Sequence, residues 1–520
     1  MGGSALPTSV VVGVVGAGAM GAGIAQVASV AGHSVLLFDV REGAAQAAVE
    51  SIGAVVEKLA AKGKISVEAA GGVRQRLKEV GSLSELAGCG LVVEAIVEKL
   101  EAKRELFRTL EKIVREDALL ATNTSSISIT EISAGLRRPE RLVGMHFFNP
   151  APVMPLVEII SGAASSAAAA EVLHATAARW GKVPVYAKSS PGFIVNRVAR
   201  PFYGEALRVL DEGGTTCATI DAVMREAGGF RMGPFELMDL IGHDVNYSVT
   251  KSVFDGFNGD ERFTPSQRQL ELVNAGFLGR KTGRGFYLYG EGAPVVAADE
   301  CGAGMTPRDV KIFGGDGFCE VLATRLGSAG VRVVRAGVQA DGRIAECDGC
   351  VLYSSDGRTA TMRGAANGVA NTVVVDRALD HAKATRLAIA AAEQSDPCAL
   401  DAAAGLLQAA GYSVSAMKDL SGMILLRTVA MLANEAADAV DQGVCSVVDC
   451  DLAMRKGVNY PLGPLEWADK IGVPQVVAVL EHMHKAYGGS RYRVSPLLQR
   501  TAASGGALRD TSLETGSARR

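Results

Sequence analysis

A glycine-rich loop near the start of the chain constrains its fold more than any other feature. The valine-rich residues 10–15 run directly into Gly16-x-Gly18-x-x-Gly21, and a helical pattern follows at once. In such a loop the first glycine permits a tight turn, the second lets the backbone approach a pyrophosphate, and the third lets the helix pack on the strand. The N–H groups at the helix N-terminus favour the same phosphates. The sequence therefore predicts a βαβ unit that binds a dinucleotide.

An acidic residue, Asp39, follows the second candidate strand at residues 34–38. It lies close to the ~20-residue spacing at which a carboxylate holds the ribose 2′-hydroxyl. Such a carboxylate repels a 2′-phosphate and favours NAD over NADP, although the nearby Arg41 would soften that preference. The alternative is an ordinary βαβ unit with a glycine-rich turn. The cofactor contacts expected in this region are Gly16, Gly18, Ala19, Met20, Gly21 and Asp39.

The composition argues against several classes of protein. The 520 residues carry a net charge of −3 without runs of basic residues, so no nucleic-acid partner is expected. No apolar run approaches the ~18 residues of a membrane span, and the N-terminus lacks the basic region of a signal peptide. Nine dispersed cysteines indicate reduced thiols and a cytoplasmic location. Cys347-x-x-Cys350 has no partner pair at zinc spacing, so no metal is expected.

The apolar periodicity divides the chain into α/β and helical parts. Candidate strands alternate with longer amphipathic stretches, as in a doubly wound parallel sheet; they lie at 10–15, 34–38, 90–95, 118–122 and 142–147. We expect an α/β protein with a Rossmann-type NAD-binding domain (1–188), a helical domain (189–290), a linker (291–307), a degenerate Rossmann-like domain without a glycine fingerprint (308–418), a second helical domain (419–500) and a disordered tail (501–520).

The two helical parts are copies of each other. Gly192–Arg197 aligns with Gly422–Arg427, and further matches continue to Gly472 at a constant offset of 230 residues. The unit is too long for a solenoid repeat, so a whole domain has been duplicated. Asn196 of the first copy is replaced by Leu426 in the second. One copy has therefore kept a polar group that the other has lost.

Polar side chains follow three candidate strands, at the edge where open α/β sheets bind ligands. Glu98 follows one strand, Ser125 the next, and His146 a third, with Glu158 twelve residues further on. A carboxylate that holds a histidine fixes its tautomer and supports general acid–base chemistry. Each residue alone also has a structural explanation, since Ser125 would suit a helix N-cap and Asn196 a link between helices.

With these motifs the chain resembles the L-3-hydroxyacyl-CoA dehydrogenases over nearly all of residues 9–290. The matching segments are the glycine loop, Val93–Glu98, Asn123–Ser126, His146–Pro150, Pro191–Arg197 and Gly279–Tyr287. The long form, with its second half, is similar to bacterial enzymes of phenylacetate degradation that oxidise 3-hydroxyadipyl-CoA. Shorter relatives act on 3-hydroxybutyryl-CoA.

The resemblance implies NAD-dependent oxidation of an L-3-hydroxyacyl-CoA to a 3-oxoacyl-CoA, in fatty-acid β-oxidation or aromatic-compound catabolism. It assigns His146 as the general base, Glu158 as the group that orients it, and Ser125 and Asn196 as hydrogen-bond donors to the substrate oxygens. Further cofactor contacts would be Glu98, Lys103 and Asn123. Candidates for binding the CoA phosphates are Lys58, Lys62 and Lys64, which a solvated helical face explains as well.

Two alternatives stay open from the sequence. One is a dehydrogenase of another hydroxy acid on the same scaffold, and the other is a non-catalytic dinucleotide-binding protein. The second half lacks the glycine loop, the histidine segment and the asparagine, so we expect it to be structural. Its helical domain would cover the first one, either within one chain or through a homodimer, because an apolar helical face does not stay in water.

Overall fold

The computed structural model describes residues 4–315 and 317–509. The chain forms two compact units. The first comprises residues up to Arg197 together with Gln442–Val458, and the second comprises Val198–Asp441 together with the residues from Asn459 onward. Each unit contains one β-sheet. The first unit therefore includes a short segment from the far end of the chain.

The first sheet has eight strands, which are β1 (Val12–Val15), β2 (Val35–Phe38), β3 (Leu77–Glu79), β4 (Leu91–Glu94), β5 (Leu119–Thr122), β6 (Leu142–Phe147), β7 (Leu156–Ser161) and β8 (Val183–Lys188). Their order in the sheet is β3-β2-β1-β4-β5-β6-β7-β8. The helices of this part are α1 (Ala19–Val30), α2 (Ala44–Ala61), α3 (Val67–Arg76), α4 (Leu100–Ile113), α5 (Ile129–Ser133), α6 (Ala167–Arg179) and α7 (Val195–Val198). β1 and β4 are buried along their whole length, as expected for central strands with helices on both faces.

The Rossmann-type fold is confirmed, with two differences from the sequence expectation. The apolar pattern located β1, β2, β4, β5 and β6 but missed the other three strands. It also predicted a parallel sheet, which is wrong at one place, because β7 runs antiparallel to β6. The missed strands have physical reasons: β3 has three residues, β7 carries the polar Glu158, and the edge strand β8 contains Pro184.

The second half forms a seven-stranded sheet from β9 (Asp309–Phe313), β10 (Arg332–Ala336), β11 (Arg343–Cys347), β12 (Cys350–Ser354), β13 (Thr372–Val375), β14 (Arg386–Ala391) and β15 (Ser413–Ala416). The order is β10-β9-β11-β12-β13-β14-β15. Cys347 and Cys350 face each other across the tight turn between β11 and β12. The sheet therefore places the two thiols of the Cys-x-x-Cys segment in a β-hairpin.

The helical domains are formed by α8 (Arg200–Asp211), α9 (Cys217–Glu226), α10 (Pro234–Ile241), α11 (His243–Gly256) and α12 (Gln267–Asn274), and by α16 (Leu425–Asp441), α17 (Val447–Gly457), α18 (Pro464–Ile471), α19 (Val473–Tyr487) and α20 (Pro496–Ser504). The second sheet carries α13 (Gly317–Ser328), α14 (Ala360–Asn367) and α15 (Pro397–Ala409). Short 3-10 helices span Leu83–Gly88, Pro139–Arg141, Glu261–Phe263 and Arg280–Thr282.

The prediction that residues 501–520 are disordered is wrong for residues 501–509. α20 continues to Ser504, and the Asp469 carboxylate accepts hydrogen bonds from the N–H groups of Leu508 and Arg509 at 2.8 and 3.1 Å. These bonds fix residues that were predicted to be disordered from the glycine- and serine-rich composition. Residues 510–520 of the predicted tail lie outside the described residues.

The duplicated helical parts exchange one helix. In the second unit α9 packs against β14, whereas its repeat counterpart α17 packs against β7 and β8 in the first unit. The N–H of Lys188 donates to the carbonyl oxygen of Val444 at 2.8 Å, and the N–H of Lys418 donates to that of Gly214 at 2.9 Å. The two hydrogen bonds are related by the same offset of 230 residues. Each sheet is therefore covered by a helix from the other repeat.

Within the second unit the two helical domains pair in one chain, through α8 and α16. The Arg427 guanidinium lies 2.6 Å from the Glu205 carboxylate, and both side chains are buried. Burial acts to raise the pKa of Glu205, but the charge of Arg427 more than offsets it, and the pKa falls below its ordinary value. Arg262 binds Glu435, the repeat counterpart of Glu205, at 2.9 Å. The intrachain pairing expected from the sequence is present.

Candidate active site

The glycine loop between β1 and α1 leaves room for a phosphate. Gly16 has a φ of +104°, and a Cβ on this residue would lie 2.5 Å from a backbone oxygen. A Cβ on Gly21 would lie 1.7 Å from the Gly16 oxygen, whereas nothing lies within 4 Å of that position on Gly18. α1 begins at Ala19 without a side-chain cap, so its first N–H groups, including that of Met20, suit phosphate oxygens. The loop therefore fits a dinucleotide pyrophosphate.

Asp39 directly follows β2 and is hydrogen-bonded to the glycine loop. Its Oδ2 accepts the N–H of Ala17 at 2.7 Å, and its two oxygens accept Nε and an outer nitrogen of Arg41 at 3.0 Å each. The hydrogen bonds from Arg41 hold the pKa of Asp39 at about 2. The residue is therefore a fixed anion beside the loop, as a ribose-binding acid requires. The side chain of Arg41 is largely exposed and partly balances this charge.

Lys103 lies between two carboxylates below the loop that follows β4. Its Nζ is 2.6 Å from Oε1 of Glu94 and 3.2 Å from Oε2 of Glu98, and only 1% of its side chain is exposed. The hydroxyl of Thr122 donates to the other Glu94 oxygen at 2.7 Å. Lys103 therefore holds Glu98 in place. Glu94 was not predicted from the sequence as a site residue, although its place at the end of a buried strand is a signal that indicates one.

Glu98 organises the loop that follows β5. Its Oε1 accepts the hydroxyl of Thr124 at 2.6 Å, the N–H of Ser125 at 2.9 Å and the hydroxyl of Ser125 at 3.3 Å. Burial acts to raise the pKa of Glu98, but the Lys103 ammonium and these hydrogen bonds lower it below its ordinary value. An ionised Glu98 therefore fixes the position of Ser125 at the edge of the sheet.

His146 and Glu158 lie directly opposite each other on the antiparallel strands β6 and β7. Nδ1 of His146 is 2.7 Å from Oε2 of Glu158, and both side chains are buried. The other oxygen, Oε1, accepts the N–H groups of Ile194 and Val195 at 3.0 Å each. Because an ionised carboxylate only accepts, Nδ1 carries a proton, and Nε2 is the nitrogen available to a substrate. No sequence motif indicated the two backbone donors.

The remaining predicted polar residues meet at the same edge of the sheet. The side-chain nitrogen of Asn196, in α7, donates to the carbonyl oxygen of Ser125 at 3.4 Å. Oδ1 of Asn123 accepts the N–H of Phe147, the neighbour of His146, at 2.8 Å. The asparagines thereby link the loop after β5 to β6 and to the start of α7.

The three candidate lysines for CoA lie together near the end of α2. Lys58 is in its last turn, Lys62 caps it, and Lys64 follows two residues later. All three are exposed. Nothing in the structure distinguishes a CoA-binding lysine from a solvated one.

The corresponding edge of the second sheet has lost the histidine pair. Asp376 stands at the repeat position of His146, and Ala388 at that of Glu158. The Asp376 carboxylate accepts the N–H groups of Ile424, Leu425 and Leu426 at the start of α16, at 3.0, 2.6 and 3.1 Å. Glu158 performs the same task at the start of α7. Burial raises the pKa of Asp376 to about 6. The second repeat therefore has a buried carboxylate, and no histidine, at the position of His146.

Within residues 4–315 and 317–509, no three side chains of the types that bind metals lie together as a candidate metal site. Over the same residues, no helix has the length and apolar character needed to cross a membrane. The phosphate-sized loop, the fixed acid beside it and the buried histidine–glutamate pair together are typical of a nucleotide-dependent dehydrogenase.

Comparison with known proteins identifies the family. Residues 11–190 match the 3-hydroxyacyl-CoA dehydrogenase NAD binding domain, and residues 192–289 and 422–514 match the C-terminal domain of the same family. Residues 352–420 match a 3-hydroxybutyryl-CoA dehydrogenase reduced Rossmann-fold domain. The chain belongs to the 3-hydroxyacyl-CoA dehydrogenase family, and it is an NAD-dependent oxidoreductase.

Individual relatives cover either the whole chain or its first half. The 3-hydroxyadipyl-CoA dehydrogenase of Escherichia coli K12 is 42% identical over 94% of this chain and 97% of its own length. A 3-hydroxybutyryl-CoA dehydrogenase of Bradyrhizobium diazoefficiens is 40% identical over 55% of this chain and 97% of its own length. The crystal structure of a 3-hydroxybutyryl-CoA dehydrogenase from E. coli K12 superimposes with a TM-score of 0.86 and 41% identity, covering 96% of this chain and all of that one.

Proposed function

We propose that this chain oxidises the 3-hydroxyl of an L-3-hydroxyacyl-CoA and that His146 is the general base. The observation that carries the proposal is the buried pair of His146 and Glu158, joined at 2.7 Å at the carboxyl edge of an NAD-binding sheet. Nε2 of His146 takes the hydroxyl proton, and the positive charge that develops on the ring lies against the Glu158 carboxylate. The fixed tautomer lets the same nitrogen return the proton in the reverse reaction.

Ser125 and Asn196 complete the proposed substrate site. Both lie beside the loop after β5, and Glu98 fixes the Ser125 end of it. Hydrogen bonds from Ser125 and Asn196 to the substrate oxygens would stabilise the ketone as it forms. NAD, when bound on the glycine loop, supplies the hydride acceptor. Glu98 and Asn123 would line the nicotinamide end of that site. Lys103, which the sequence suggested as a further cofactor contact, is buried and would act by holding Glu98.

The test of the proposed base is the substitution His146→Gln. We expect turnover with acetoacetyl-CoA and NADH to fall on the order of 10²–10⁴-fold, the usual contribution of a positioned base, while NADH still binds. His484→Gln is the matched control, because His484 is an exposed histidine in the last turn of α19. Turnover of His146→Gln within about threefold of the unmodified chain would exclude this role.

We propose 3-hydroxyadipyl-CoA as the acyl substrate, within phenylacetate catabolism. The support is the relative of that name, which is 42% identical over 94% of the chain. A crystal structure of a 3-hydroxybutyryl-CoA dehydrogenase also covers both halves of the chain, so the two acyl chains have to be compared directly. A comparison of kcat/KM for the 3-hydroxy derivatives of butyryl-CoA, longer straight-chain acyl-CoAs and adipyl-CoA tests this. A higher value for butyryl-CoA than for adipyl-CoA would reject it.

We propose one NAD site in each chain. The loop between β9 and α13 contains Gly314, which has a φ of +81° and stands at the position of Gly16, but Cys319 occupies the place of the third glycine, where the first loop tolerates no side chain. Glu320 forms an ion pair with Arg335 and adds negative charge near the helix start, which disfavours a pyrophosphate. Calorimetric titration is expected to give one NADH per chain, and two would contradict the proposal.

The paired helical domains and the cysteines support two further proposals. The first proposal is that the chain does not form a homodimer through α8, because α8 is already covered by α16 within one chain. All nine cysteines are free thiols, which supports a cytoplasmic location. Sedimentation analysis tests the first proposal, and a dimer that buries α8 would contradict it.

A further inference from the structure

The second unit contains a cavity of about 400 Å³ at the carboxyl edge of its sheet. Its walls come from the ends of β12 and β13, the N-terminus of α13, and the helices α16 and α18. Two of its lining residues, Ser354 and Leu426, are the repeat counterparts of Asn123 and Asn196. The cavity is therefore the counterpart of the catalytic edge, at the place where open α/β sheets bind ligands. Its size falls within the range of small-molecule sites.

The lining has gained positive charge relative to the first repeat. Arg377 lines the cavity at the repeat position of Phe147, and Lys470 lines it at that of Leu240. Loss of catalysis alone would not turn two apolar side chains into cations in the wall of one cavity. Two cations around a concave site favour an anionic ligand.

A helix N-terminus and an acidic residue also contribute to the net charge of the cavity lining. The N-terminus of α13, at Gly317, contributes its positive dipole end. The acidic residue Asp380 also lines the cavity, but Lys383 pairs with it at 3.3 Å. Among the described lining residues, the cations thus outnumber the acid.

The rest of the lining is apolar and aromatic. Trp467 and Val429 are buried, and Phe318 stacks on His381 with ring centroids 4.1 Å apart. Leu426 stands where the catalytic repeat has its substrate-binding asparagine. A wholly polar anion would leave this surface without a partner, so the ligand needs an apolar body as well as a negative charge.

We propose that this cavity binds a small amphipathic carboxylate, with its apolar chain against Trp467 and its carboxylate near Arg377 and Lys470. The cavity is lined by residues of the second unit, whereas the glycine loop and His146 belong to the first, so we expect binding neither to require nor to replace NAD or the acyl-CoA. The second half of the chain is then a ligand-binding domain derived from a dehydrogenase.

Trp467 provides the test, because the chain has only one other tryptophan, Trp180. In a Trp180→Phe background with saturating NADH, octanoate is expected to change the Trp467 fluorescence saturably, with one site per chain. Octylammonium has the same chain and the opposite charge, and it should not bind. Added salt should weaken octanoate binding because the attraction is partly electrostatic.

Substitutions in the cavity distinguish octanoate binding at this site from octanoate binding at other apolar sites of the chain. Lys470→Glu should weaken octanoate binding about fivefold or more, whereas Lys485→Glu, at another exposed lysine, should not. Ala378→Phe introduces the aromatic residue that the first repeat has at this position and should abolish binding by filling the cavity. Calorimetry on the unmodified chain provides the same titration without the Trp180 substitution.

Several results would overturn the proposal. They are absence of octanoate binding, equal binding of octylammonium, equal effects of Lys470→Glu and Lys485→Glu, or binding that survives Ala378→Phe. Dehydrogenase turnover is measured on the same variants and should be unchanged by Lys470→Glu. Failure of the proposed catalytic role of His146 would leave all these binding results unaffected, so the two proposals can be judged separately.

Discussion

The substitution Glu158→Gln tests the catalytic geometry most directly, because it changes one atom of a buried side chain. The Glu158 carboxylate accepts three hydrogen bonds, from Nδ1 of His146 and from the N–H groups of Ile194 and Val195. A glutamine can still accept the two backbone N–H groups through its oxygen. Its NH₂ group then faces Nδ1, which must become an acceptor, and the ring proton moves to Nε2.

Two costs determine the expected magnitude. A hydrogen bond to a charged group contributes roughly 1.5–3 kcal/mol, so its loss as the imidazolium forms slows turnover about 10- to 150-fold. The reversed tautomer adds to this, because Nε2 can no longer accept a proton. In a Ser-His-Asp triad the comparable Asp-to-Asn change lowers kcat about 10⁴-fold through the wrong tautomer. We therefore expect a decrease in kcat on the order of 10³-fold for Glu158→Gln.

The assay follows NADH absorbance with L-3-hydroxybutyryl-CoA at saturating NAD, and NADH binding and thermal midpoint serve as checks on folding. Glu116→Gln is the control, since this glutamate side chain is 90% exposed and bonds only Arg138 among the described contacts. The double variant with His146→Gln should be no slower than His146→Gln alone, because the two residues act as a unit. A kcat within about threefold of the unmodified chain, or additive losses in the double variant, would refute the reasoning.

Three further predictions concern the cofactor and the duplicated half. Asp39→Ala should weaken NADH binding about tenfold or more and reduce the difference in affinity between NADH and NADPH. Unchanged dissociation constants for both cofactors would show that Asp39 does not bind the ribose. Because the pKa of Asp39 is about 2, its charge persists above about pH 4. The loss of NADH affinity in Asp39→Ala should therefore be the same at about pH 5 as at neutrality, and a smaller loss at the lower pH would contradict this. Deleting residues 300–520 removes α17 from β7 and β8, and chromatography should show aggregates or new dimers; a monomeric, fully active 1–295 fragment would contradict this.

The local sequence was sufficient to place a site residue wherever one short segment contained the whole motif. The glycine loop, Asp39 after β2, and the histidine at the end of β6 could all be placed from apolar runs and strand ends. The twelve-residue spacing suggested that His146 and Glu158 pair, but it did not show why. The reason is the antiparallel register of β6 and β7, which sets the two side chains opposite each other.

The parts that could not be predicted depend on contacts between distant segments. Glu158 is fixed by the backbone of Ile194 and Val195, which no side-chain motif marks. The burial of Lys103 between Glu94 and Glu98 depends on the packing of α4. The repeat was visible at a constant offset, but alignment alone cannot tell which sheet a duplicated helix covers.

The exchange of α9 and α17 also sets the order in which the chain is completed during synthesis. β8, the last strand of the first sheet, ends at Lys188, but the helix that covers it ends at Gly457. Domains usually fold as units from the N-terminus while the ribosome is still at work. Here most of the unit that contains His146 is synthesised first, but its last helix is synthesised only after the whole second sheet has emerged. A ribosome that stalls before residue 442 would leave a nascent chain with every proposed catalytic residue present but without the helix that packs on β7 and β8.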